Sequence, residues 1–92
     1  MIVRIATEDQ YRLPDEVARK LNDLDNQAVS AVEAEDEPTF RRLFDEMLAV
    51  VRAEGHLLGD EELEGSDIII PPPDLSFAEA KAEFSGDGLI PD

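Results

Sequence analysis

The side chains able to do acid–base or metal chemistry are few, and poorly spaced for it. The one histidine, His56, follows a stretch of helical periodicity. With no second imidazole and no cysteine in the chain, it lacks the partners that a metal site or an activated nucleophile needs. It reads as a solvated histidine or a helix-end cation. Asp60, Glu61, Glu62, Glu64 and Asp67 form an acidic run of the type that holds a hard cation. Calcium loops, however, alternate their ligands around a glycine turn, and that spacing is missing. The run reads as a solvated acidic loop. Ser30, Ser66, Ser76 and Ser85 sit in no G-x-S-x-G elbow, and there is no glycine-rich phosphate loop. The expectation is no catalytic residue, no metal and no cofactor: a binding module rather than an enzyme.

If the chain works by binding, its charge decides what it binds. The formal net charge is −15 over 92 residues. Residues 1–53 carry 7 basic and 12 acidic side chains, and residues 54–92 carry a single base, Lys81, against 11 acids. Such a surface repels nucleic acid and anionic lipid headgroups, and its natural complement is a basic protein surface. No apolar run approaches the roughly 18 residues of a transmembrane helix, and the start Met1-Ile2-Val3-Arg4-Ile5 is no secretory signal. The expected location is the cytoplasm.

The elements that must position any binding surface follow from periodicity. Residues 1–6 alternate, Thr7-Glu8-Asp9 is a turn, and Gln10–Leu13 alternates again, which predicts an N-terminal β-hairpin. Pro14-Asp15-Glu16 opens a helix to about Glu35, with Val17, Leu21, Leu24, Ala28, Ala31 and Val32 in a stripe roughly 100° wide. Asn22, Asp23, Asp25, Asn26 and Glu33 fall outside it. Pro38 starts a second helix to Glu54, whose apolar face of roughly 160° runs from Phe40 to Val51 and includes Val50. Arg41–Asp45 and Arg42–Glu46 are predicted pairs on its polar side. Gly55 is expected to close it in the left-handed conformation. The short link makes the two helices an antiparallel hairpin. Residues 56–66 read as a polar connector and Asp67–Ile70 as a third strand, stopped by Pro71-Pro72-Pro73, which serves as a rigid connector. Ser76 and Glu79 fit a capping box that opens a short helix, Phe77 to Phe84. The fold class is α+β, one domain over 1–92: a small antiparallel sheet packed on a two-helix hairpin, with a short C-terminal helix.

Certain runs occur in a particular order. Met1-Ile2-Val3-Arg4-Ile5, Gln10-Tyr11-Arg12 and Leu21-Asn22-Asp23-Leu24-Asp25-Asn26 are followed by Ser66-Asp67-Ile68-Ile69-Ile70-Pro71-Pro72, Asp74 and Gly88-Leu89-Ile90-Pro91. Together they resemble the PspA-associated protein family, PspAA, found mainly in actinobacteria. The resemblance covers essentially the whole chain. It implies a non-enzymatic adaptor or regulator of a PspA-type, ESCRT-III-like membrane-remodelling protein in envelope stress, and supplies no catalytic residues. A protein of this charge would then reach a membrane only indirectly, at its inner face, through its partner.

Two surfaces carry the negative charge expected to meet such a partner: Asn22, Asp25 and Asn26 on the outer arc of the first helix, and Asp60, Glu61 and Glu62 in the acidic loop. Homo-oligomerisation through exposed strand edges is a further option. The alternative function is an acidic inhibitor or nucleic-acid mimic that occupies a basic protein. The acids of the first helix are scattered around its polar arc rather than aligned at phosphate-like spacing, which weakens that alternative.

Overall fold

The computed structural model describes residues 1–58, 65–86 and 88–90. Four short strands and three helices follow one another as β1 (Ile2–Ile5), β2 (Gln10–Arg12), α1 (Asp15–Glu33), α2 (Glu37–Glu54), β3 (His56–Leu58), β4 (Ile68–Ile70) and α3 (Phe77–Glu83). The strands form one sheet in the order β3-β2-β1-β4.

The expected α+β architecture is present, but the sheet is larger and of mixed type. β1 and β2 pair antiparallel as a hairpin, Val3 opposite Tyr11. β4 pairs parallel to β1, Val3 opposite Ile68 and Ile5 opposite Ile70. The parallel sense follows from the connection, since the whole helix pair lies between the two strands and returns the chain to the same end. The segment expected to be a connector also begins with a strand. His56–Leu58 pairs antiparallel with β2, Arg12 opposite His56, and so occupies an edge the hairpin left open. At the start of β4, the backbone N–H of Ile2 donates to the Asp67 carboxylate at 2.8 Å, and the N–H of Asp67 donates to the carbonyl of Ile2.

The sheet buries one face. Val3, Ile5, Ile68 and Ile70 join the same apolar cluster as Leu21, Phe44 and Met47, while Arg4 and Ile69 between them point away and are exposed. Against α2, the third helix completes an aromatic group. Phe40 and Phe44 stack at 5.6 Å between ring centroids, and Phe84 meets them edge-on at 5.1 and 6.0 Å. Such pairs add about 0.5–1.5 kcal/mol each beyond the area they bury.

Helix ends account for the α1–α2 turn. The N–H of Asp36 donates to the Ala31 carbonyl and that of Glu35 to the Val32 carbonyl, the two bonds of a Schellman motif. Glu35 occupies the left-handed position of that motif, with φ 56°. The Asp36 side chain then caps α2 by accepting from the Thr39 N–H. At the far end of α2, Gly55 is extended (φ −82°, ψ 157°) rather than left-handed. Glycine is required there by space: a Cβ would lie 2.5 Å from the Val51 carbonyl oxygen and 2.9 Å from Leu13. The predicted capping box of Ser76 and Glu79 is formed at α3.

Candidate partner-binding surface

α1 has two flanks beside its buried stripe, and they differ in what covers them. On one flank lies the C-terminal segment. Asp25 is fully buried, and the backbone N–H groups of Leu89 and Ile90 donate to its carboxylate oxygens at 3.0 and 2.9 Å. Gly88 makes the approach feasible, because it holds φ +78° and a Cβ on it would sit 2.7 Å from Asp25 Oδ2. Val29, one turn on from Asp25, is also buried. The expectation that Asp25 faces outward is therefore corrected. An acid that periodicity places off the apolar stripe is stabilised inside by two main-chain donors that arrive from far along the chain.

The other candidates are distributed unevenly. Asn22 is half-buried and Asn26 exposed, on the same flank as Asp25. Asp60, Glu61 and Glu62 lie outside the described residues. Charge reversal at Asp25 would test folding, not recognition, because it would place a second-sign charge against two N–H donors in the interior.

On the opposite flank α1 and α2 leave an open cleft of about 470 Å³, lined by Lys20, Asp23, Leu24 and Gln27 from α1 and by Glu46, Ala49 and Val50 from α2. The spacings 20–23–24–27 and 46–49–50 are those of residues sharing one side of a helix. Leu24 is buried, Val50 half-buried and Ala49 exposed, giving the cleft an apolar floor with polar walls. Lys20 Nζ reaches Glu54 Oε2 at 3.0 Å across the helix pair. The predicted Arg41–Asp45 and Arg42–Glu46 pairs do not close. Arg41 lies over the Phe40 ring instead, at 5.9 Å, and Glu46 is left to the cleft wall. Periodicity alone did not single out this cleft. The one hint was the unusual width of the apolar face of α2, which extends to Val50.

Among the described residues no cluster of three or more His, Asp or Glu side chains can hold a metal ion, and no helix is long and apolar enough to cross a membrane. His56 is exposed on β3 opposite Arg12. Among the described residues, Glu35 beside the Lys81 ammonium, Asp36 through its bonds to Thr39, and Glu79 through its bonds to Ser76 titrate below their usual values. All three serve helix ends or link elements.

The model of the family described as PspA-Associated protein matches residues 1–92, the entire chain. The chain belongs to the PspA-associated protein family. No curated protein and no solved structure matches it. In this PspA-associated chain, then, the family description names association, and the two flanks of α1 narrow the surfaces open to a partner. Residues 88–90 cover one flank at Asp25, and the cleft on the other is open.

Proposed function

We propose that this chain is a non-enzymatic adaptor that binds a PspA-type membrane-remodelling protein and regulates it during envelope stress. The observation that carries the reading is the match of the PspA-associated family over the full length. Charge supports it. A −15 protein is steered toward cationic surfaces and away from anionic headgroups, so it meets the membrane by way of a partner, from the cytoplasmic side. Affinity purification of the tagged chain from its own host, followed by mass spectrometry, tests the proposal. The expected result is a PspA-type protein as the main specific partner, retained when the two are co-expressed alone. Recovery of a nuclease, polymerase or repressor in its place would overturn the proposal and favour an acidic inhibitor.

A further inference from the structure

We infer that the cleft between α1 and α2 seats an amphipathic helix of the partner, one with an apolar ridge bordered by lysines or arginines. The inference rests on the reading of this chain as a binder of a PspA-type protein, and deepens it by assigning the surface and the chemistry of what docks there.

Shape comes first. Two antiparallel helices present a groove into which a third helix packs by laying its ridge between them, at axial separations of about 8–10 Å. From Lys20 to Gln27 the cleft follows α1 for two turns, about 10 Å of axis. Its floor is Leu24, Ala49 and Val50, and the small side chain of Ala49 lets a partner helix come close. The inner side of the pair is covered by the sheet and α3, and Leu89 and Ile90 lie against the far flank of α1 at Asp25.

Charge then selects the occupant. Asp23 and Glu46 stand on the two walls of the cleft, and neither makes an ion pair among the described residues. Lys20, the cation at the rim, is neutralised by Glu54. An apolar floor between unpaired carboxylates is complementary to an apolar ridge between cations. A second copy of this chain fails the same test. It would bring another −15 against acidic walls, and like charges facing each other across an interface cost affinity. The contact is small relative to a standard interface, so it is expected to be reversible and salt-sensitive.

The test uses the full chain and the co-purified PspA-type protein. Three forms are compared with the wild type for dissociation constant at low and moderate salt: Ala49→Trp, which fills the cleft; Asp23→Lys with Glu46→Lys, which reverses its walls; and Asp9→Lys with Asp74→Lys, an equal change of net charge elsewhere on the exposed surface. The cleft variants should weaken binding by about tenfold or more while the distant pair changes it by only a few-fold. All substituted positions except Asp9 and Asp74 line the cleft, and unchanged circular dichroism with melting no lower than that of the wild type will show that the fold is kept. Equal weakening by both charge reversals, or undiminished binding by Ala49→Trp, overturns the cleft assignment and leaves the adaptor reading intact. Failure of the wild type to bind any PspA-type protein overturns the adaptor reading itself.

A second measurement does not depend on stability. The chain has no cysteine, so Ala49→Cys carries a unique attachment point for a photo-crosslinker. Crosslinks should land in a helical, Lys/Arg-bordered segment of the PspA-type protein. Crosslinks to a second copy of this chain, or to an acidic segment, would overturn the inference.

Discussion

Asp36 accepts a hydrogen bond from the Thr39 N–H at the start of α2, and its interactions with the Thr39 side chain and with that N–H hold its carboxyl below the usual value of 3.8. Glu79 in the capping box of α3 and Glu35 beside Lys81 are likewise held below 4.5. In each case the folded chain binds fewer protons than the unfolded chain near these values. The stability they contribute is complete above the unfolded pKa and is lost as pH falls through the lower, folded one. Asp36→Asn keeps an oxygen able to cap but removes the titration. Urea melts of wild type and Asp36→Asn from pH 7 down to about 3 should therefore converge as the aspartate protonates. A gap that stays constant across that range would refute the link between cap and titration. Single residues were also where sequence reasoning was least secure. The capping box announced itself in four consecutive residues. Asp25 did not announce its burial, because it accepts bonds from the main chain of Leu89 and Ile90, and no local period encodes a contact at that separation. Gly55 was read correctly as the end of α2 but for a different physical cause, since a close backbone approach rather than a left-handed φ requires it.

The elements divide along the same line between local and distant causes. All three helices were legible, since prolines or a serine cap start them and apolar positions recur at helical spacing. β1, β2 and β4 were legible as strands, but the parallel sense of β4 was not, because it depends on where the helix pair delivers the chain. β3 was missed altogether. His56-Leu57-Leu58 has no alternation, and it is a strand because β2 offers an unpaired edge. The C-terminal segment is the element whose attachment can be tested most directly. Gly88→Ala would put a Cβ against the Asp25 carboxylate at an unfavourable φ and should cost at least about 2 kcal/mol. Asp25→Asn keeps the shape but turns an amide N–H₂ or a weaker acceptor toward two donors, costing about 1–3 kcal/mol. Urea denaturation of both variants measures this. Loss of less than about half a kcal/mol in both would mean that the segment adds nothing to α1.

At the scale of the whole molecule the governing quantity is charge, and it was fully legible. The chain measures 40 × 25 × 21 Å, comparable to a Debye length of about 30 Å at 0.01 M salt, so at low ionic strength its excess carboxylates repel one another across the entire body. Surface pairs such as Lys20–Glu54 and Arg52–Glu8 are too exposed to offset this repulsion. The melting temperature should rise as sodium chloride increases from about 10 to 300 mM, because screening weakens the repulsion more than it weakens the few pairs. A flat or falling profile would show that the negative charges are locally compensated. The open cleft was the part of the candidate surface that the sequence did not disclose, since it is made by the relative placement of two helices and not by either one.

The position of β1 in the middle of the sheet has a bearing on synthesis. β1, which precedes the other strands of its sheet, is also the one flanked on both sides. β2 reaches one side within a few residues, but β4 comes only after both long helices have been made. Leu89 and Ile90 meet Asp25 later still. A chain growing from the ribosome can therefore fold its hairpin and helix pair early, yet β1 keeps an unpaired edge until β4 is made, and Asp25 receives its bonds from Leu89 and Ile90 only after that. Long-range closure of this kind slows folding relative to helical bundles of the same length, and makes the domain depend on residues 68–70 and 88–90 to close its sheet and the flank of α1.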